Sequence, residues 1–244
     1  MLRAVRFARR MIPAPSGQPM INASAVARES KADRARRFAE IVRRLEKEMP
    51  EAKIALKYED ELQLLVSVML SAQSTDAVVN QVTPALFARY PTAAQYARST
   101  PEILGEQIKR VGLWRAKAKN LHQAMTRIAR DHHGHLPRKR EELCELPGVG
   151  WKTAGVVVNH AFGTPALPVD THVGRVSRRL GLTREEDPRK VEQELSALLP
   201  DRLWGRAHQL LIWHGRRTCE SRRPHCSRCV VRDLCPRRGV KESD

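Results

Sequence analysis

"LPGVGWKTAG", residues 146–155, sets two glycines after a proline and follows them with a lysine, inside an apolar stretch of helical character. Pro147 disfavours continuation of the helix before it, so the chain has to turn here. Gly148 and Gly150 allow a tight turn and leave amide groups unshielded by side chains. The stretch therefore reads as the junction of two helices, with backbone N–H groups facing outward at the start of the second. Such donors, together with the positive end of the helix dipole, suit a phosphate oxygen. An ordinary turn between packed helices is the plain alternative. Lys152 falls in the first turn of the second helix, where the dipole disfavours a cation. The same field, with partial burial, favours a neutral and nucleophilic amine. A solvated surface lysine is the competing reading.

Outward from the hairpin, the pattern stays helical. From Ser30, an N-cap with Asp33 three residues on, the apolar positions Phe38, Ile41, Val42, Leu45 and Met49 keep helical spacing until Pro50. "ELQLLVSVMLSAQ", residues 61–73, is apolar nearly all round and is placed as a buried central helix. Further helices are expected at 76–89, 101–109, 115–131, 139–145, 151–162, 172–180, 188–198 and 203–217. No strand of convincing length alternates, and the Val156–Val158 run is too weak a β preference to resist burial. The fold class is all-α.

The chain has 244 residues, enough for one large core or two modest ones, and no apolar run of about 18 residues that would cross a membrane. Its 44 Lys and Arg against 27 Asp and Glu give a formal charge of +17, which predicts attraction to polyanions. Aromatics make up 5%, without the alternating aromatic-basic pattern of a single-strand stacking sheet, so duplex backbone is the expected partner. Residues 1–28 hold five arginines and no acid, with a "PAPSGQP" break, and read as a disordered basic tail (1–27) outside the fold. A mitochondrial transit peptide is the other reading of such a start.

Asp170, in "LPVDTHVGR", precedes another helical run; N-capping explains it, and capping is compatible with a fixed carboxylate facing Lys152 across a cleft. Cys219, Cys226, Cys229 and Cys235 follow a C-x6-C-x2-C-x5-C spacing, leaving Cys144 outside. Four thiolates suit a zinc ion or an iron-sulfur cubane, and spacing alone does not choose between them. Disulfides are the weak reading, with no secretory signal and no second cysteine cluster. Arg222, Arg223, Arg228 and Arg232 lie among the cysteines and would offer phosphates a fixed basic surface; a solvated tail is the alternative.

"LPGVGWKTA", "PVDTHVGR", "LSAQSTD" and the cysteine spacing together resemble the endonuclease III family of DNA glycosylases, in the helix-hairpin-helix superfamily, over about residues 30–238. The resemblance implies a six-helix bundle at 54–164 and a second, discontinuous domain built from 28–53 and 165–240, which carries a 4Fe-4S cluster. A DNA cleft would lie between them. It implies Lys152 as nucleophile and Asp170 as catalytic carboxylate, in a monomer acting on duplex DNA with damaged bases or abasic sites. Removal of an oxidised pyrimidine would be followed by β-elimination through a lysine Schiff base. Gln73 would fill the space of the flipped base and Leu113 would wedge the duplex, with helix-end packing as the alternative for both. Asp76 and His172 fall on further cleft positions.

Two residues depart from the family pattern. Trp151 stands where a small or basic residue is expected, and its bulk either narrows the cleft or packs. Trp114 replaces an expected tyrosine. Two other readings are an adenine glycosylase of the same superfamily, which normally lacks the lysine and adds a C-terminal recognition domain, and a noncatalytic DNA-binding redox sensor. Location follows the source: the nucleoid of a bacterial cytoplasm, or a mitochondrion if the basic start is a targeting peptide.

Overall fold

The structure, a computed structural model, describes Val26 and residues 28–244; the expected basic tail lies almost wholly outside the described residues. Those residues form helices and connecting turns, with no strand among them. In chain order the α-helices are α1 (Lys31–Glu48), α2 (Glu61–Ser71), α3 (Asp76–Arg89), α4 (Ala93–Ala97), α5 (Pro101–Gln107) and α6 (Trp114–Asp131). They continue with α7 (Arg140–Cys144), α8 (Trp151–Phe162), α9 (Thr171–Arg179), α10 (Pro188–Ser196) and α11 (Trp204–Arg217).

Local chemistry accounts for the starts. Ser30, Asp60, Thr75, Thr92, Thr100, Asp170 and Asp187 each accept a first-turn N–H with the side chain, satisfying donors that a helix leaves orphaned. The short α4 was missed by periodicity because five residues show too little of a period. Its sequence signal was the Thr92–Gln95 capping box, in which each side chain bonds the other's backbone.

The buried apolar residues form two clusters. One runs from Leu56 to Ala166 and is centred on α2, where every residue from Leu64 to Leu70 is buried, as its all-round apolar sequence requires. Val156, Val157 and Val158 are buried here on α8, which packs against α2. The other cluster joins Phe38, Ile41, Val42, Leu45, Met49 and Ala52 to residues between Leu167 and Val231. Phe38, Ile41 and Leu45 are 0% exposed, and burial of such side chains contributes about 1.5–3 kcal/mol each. The opposite face of α1 is arginine-rich, but Arg37 turns inward. It donates to Glu29 Oε1 and Oε2 at 2.8 Å each and to Leu180 O at 2.7 Å, so its buried charge is paired. The chain crosses from the second cluster to the first near residues 52–56 and returns near 166–167.

Candidate active site

The hairpin between α7 and α8 is pinned by one apolar residue. Val149 is buried between the exposed Gly148 and Gly150, and its N–H donates to Leu146 O at 3.0 Å. Gly148 takes φ +79°, and a Cβ there would stand 2.8 Å from Asn120 Cβ, so both conformation and space demand glycine. Gly150 caps α8 without a side-chain hydrogen bond, and a Cβ on it would meet nothing within 4 Å. The start of α8 is thus open at Gly150, which leaves an anion room to approach its first turn.

Lys152 and Asp170 line one solvent-open cleft of about 470 Å³, together with Lys53 at the chain crossing, Asp76, His208 and Arg216. Lys152 is exposed at the N-terminal turn of α8, so the partial burial expected from sequence is absent in the free protein. A short apolar stretch says that a helix is buried but not which side its first turn presents. Asp170 is half-buried at the start of α9, where its Oδ1 accepts from Val173 N at 2.8 Å, which fixes the carboxylate's rotamer. Cap and cleft residue are therefore one and the same group.

His208, on α11, went unread in the sequence because a histidine on an apolar helical face carries no spacing signal. It is 2% exposed, and its Nδ1 is buried without a hydrogen-bond partner. Burial pushes its pKa down to about 4; nearby Lys152 pushes the same way and Asp170 opposes. The imidazole is neutral at physiological pH, and both cleft residues lie within its electrostatic reach. Asp76 Oδ2 accepts from Arg216 Nη1 at 2.9 Å, a pair that sequence reading also did not foresee. His172 stands apart from the cleft lining: its Nδ1 lies 3.1 Å from Arg175 Nη2, and its ring packs by Gly215.

Gln73 and Leu113 share an unusual property. Both adopt left-handed backbone, φ +54° and +58°, which costs an L-residue about 1–2 kcal/mol. Leu113 is also 60% exposed, one of two large hydrophobics so exposed among the described residues. Their two turns are tied together, since Gly112 N donates to Ser74 Oγ at 3.0 Å and the buried Lys117 donates to Leu70 O at 2.8 Å and to Ser74 Oγ at 3.0 Å. Nothing in the sequence sets Lys117 apart from the other cations. Trp114, beside Leu113, packs on Gly105 with Arg115 4.1 Å from its ring. Trp151 does not line the cleft and so does not narrow it; it packs against α10.

All four C-terminal cysteines line a single pocket, with Arg179 and His214, while Cys144 lies elsewhere, against the first core. No three His, Cys, Asp or Glu side chains among the described residues are placed to hold a single metal ion. A zinc ion would draw four sulfurs to about 2.3 Å from one point. Four cysteine sulfurs facing one site are a donor set that suits either a zinc ion or an iron-sulfur cluster. Burial pushes the Cys229 thiol up to about 12 and Cys235 to about 11, so their thiolates need a cationic centre among them. N–H donors wait on the sulfurs: Arg179 Nη1 on Cys219 Sγ and Arg237 N on Cys235 Sγ, each at 3.4 Å. Arg222 and Arg223 lie exposed on the intervening loop.

An all-helical chain, a glycine hairpin opening onto free space, and a lysine and a carboxylate in one cleft define the helix-hairpin-helix class of DNA-repair protein. Residues 66–201, more than half of the chain, match the HhH-GPD superfamily base excision DNA repair protein model. The chain is 45% identical to endonuclease III of Synechocystis over 206 residues, covering 84% of this chain and 94% of that relative. It is 46% identical to endonuclease III of Bacillus subtilis over 193 residues, with 79% and 88% covered, and 38% identical to that of Escherichia coli over 196 residues, with 80% and 93% covered. Among solved structures, a trapped endonuclease III–DNA covalent intermediate superposes with a TM-score of 0.79 at 40% identity, covering 82% of this chain and 95% of that one. The chain belongs to the endonuclease III family within this superfamily.

Proposed function

We propose that this protein is a bifunctional DNA glycosylase and abasic-site lyase of base excision repair, acting as a monomer on duplex DNA that carries an oxidised pyrimidine. The observation that carries the reading is the presence of Lys152 and Asp170 in one cleft beside an open helix N-terminus. The amides of α8 and the exposed Arg222 and Arg223 hold phosphates. Leu113 wedges the duplex at the lesion, and Gln73 occupies the space that the flipped nucleotide vacates; the strain stored in both turns supports that role. Asp76, paired with Arg216, borders the cleft, and His172, hydrogen-bonded to Arg175 on the same helix, lies within electrostatic reach of Asp170 and Arg216.

In this reading the amine of Lys152 forms a bond to C1′ as the bond from C1′ to the base breaks and the base leaves with its electron pair. Asp170 stabilises the positive charge that develops on the sugar. Ring opening gives a protonated Schiff base between Lys152 and C1′. Loss of a C2′ proton then expels the 3′ phosphate, and water releases the enzyme from the remaining aldehyde. Incubation with a duplex containing one abasic site tests the class: the lyase nicks it, and an intact strand would favour a sensor or a monofunctional glycosylase. The adenine-glycosylase reading is the weaker one, because a lysine occupies the hairpin helix.

The chain divides into 54–164 and 28–53 with 165–240, a reading supported by the two apolar clusters, between which the chain passes near 52–56 and 166–167. Cys219, Cys226, Cys229 and Cys235 hold a 4Fe-4S cluster, which shapes the Arg222–Arg223 loop and breaks no bond. Anaerobically purified protein should be brown and contain four irons; one zinc with no iron would refute this assignment. Arg222→Ala with Arg223→Ala should weaken binding to lesion-bearing and plain duplex alike, and lower the salt slope by up to about one per lost phosphate contact. Binding titrations across a salt series check this, and a loss confined to one DNA sequence would contradict a backbone contact.

A further inference from the structure

Trp151 immediately precedes Lys152, and its surroundings are built rather than incidental. Arg140 Cζ lies 4.0 Å from the centre of the indole, and Arg189 Cζ lies 4.9 Å from it. The indole N–H donates to Glu192 Oε2 at 3.0 Å. Arg140 holds the same carboxylate through Nη1 at 2.5 Å and Nη2 at 2.9 Å, and also donates to the Trp151 carbonyl from Nε at 3.1 Å and Nη2 at 2.9 Å. Glu192 is 9% exposed, so the ion pair is largely desolvated and removal of one partner strands the other. Gly155 makes the arrangement possible, since a Cβ there would stand 2.4 Å from Arg140 Nη2.

The elements joined in this way come from different cores. Arg140 is on α7 and Trp151 opens α8, both packed with the first cluster, whereas Glu192 and Arg189 are on α10, whose Val191 and Leu195 belong to the second. Lys152 is carried by the first core and Asp170 begins a helix of the second. The hold of the start of α8 on α10 is thus one tie between the two cores that carry them.

We propose that Trp151 is a positioning residue for the reaction: with Arg140, Glu192 and Arg189 it clasps the first turn of α8 to α10, and so fixes the direction from which Lys152 reaches C1′ opposite Asp170. The proposal rests on Lys152 being the nucleophile. A small misplacement of a reacting group is costly, so the clasp acts on rate more than on binding.

The test uses the full-length protein with its metal centre and a duplex bearing one oxidised pyrimidine. The wild-type borohydride adduct is first mapped by peptide analysis. Saturating single-turnover trapping rates, and affinity for a duplex with an uncleavable abasic analogue, are then measured for each variant. Trp151→Ala should trap at least about tenfold more slowly while affinity changes less than about threefold. Trp151→Phe keeps the ring between the two arginines and should recover most of that rate. Glu192→Gln should slow trapping too, and combined with Trp151→Phe should cost less than the product of the two single effects, because both act through one hydrogen bond. If Trp151→Ala fails to fold, Glu192→Gln decides the matter: slowed trapping at unchanged affinity upholds the clasp, and a wild-type rate overturns it. Wild-type trapping rates in Trp151→Ala and Glu192→Gln, or loss of affinity in proportion to rate, would overturn the clasp alone. An adduct mapped to another amine would overturn the nucleophile reading and the clasp with it.

Discussion

Borohydride should trap a covalent adduct between this protein and duplex DNA containing an oxidised pyrimidine, with the DNA on Lys152, and Lys152→Gln should trap none. The side chain is exposed at the cleft mouth, so its replacement leaves no cavity and no unpaired buried group. Relief of a cation from a helix N-terminus should even raise stability, by about 0.3–1 kcal/mol. Loss of trapping and nicking in a variant that melts no lower than wild type would separate chemistry from folding. Much of the affinity for DNA should survive, since the hairpin amides and the arginine loop are untouched. Lys152→Arg should fail as well, because a guanidinium stays charged and forms no Schiff base. Trapping of Lys152→Gln at the wild-type rate would mean that another amine does the work.

Asp170→Asn should lower the excision rate by about a hundredfold or more, the scale on which a few kcal/mol of charge stabilisation is expressed. Its fold should not suffer. Asparagine caps a helix about as well as aspartate, and the oxygen that now accepts from Val173 N is retained. Single-turnover excision and thermal unfolding measured on one preparation check both halves. Near-normal excision by a well-folded variant would reduce Asp170 to a cap.

Much of this was legible before any coordinates. Phe38, Ile41, Val42, Leu45 and Met49 repeat at helical spacing and are all buried, because an amphipathic period reports a core-facing stripe directly. Gly148 announced the hairpin because positive φ and close approach leave no other residue there. What stayed hidden depends on distance in sequence. His208 lies 56 residues beyond Lys152 in sequence, Arg216 meets Asp76 across 140 residues, and no local pattern encodes either neighbour. Nothing local marks Lys117 or Arg37, whose hydrogen bonds reach the distant backbone carbonyls of Leu70 and Leu180. The exposure of Lys152 was misjudged for a related reason: periodicity identifies a buried helix but does not say where its first turn emerges.

The interleaving of the two cores has a consequence for synthesis of the chain. The first cluster is complete once Ala166 has been made, whereas α1, made earlier, finds its packing partners only between Leu167 and Val231. During translation α1 must wait, with Phe38, Ile41 and Leu45 uncovered, while a later segment folds ahead of it. That order makes the nascent chain adhesive for well over a hundred residues of elongation. An arrest-peptide force profile should show one release as residue 166 clears the ribosome and a second only after Val231; a release before Ala166 that requires α1 would reverse the order. The cleft, whose lysine and carboxylate belong to different cores, is therefore among the last features to form, so a half-made chain is unarmed.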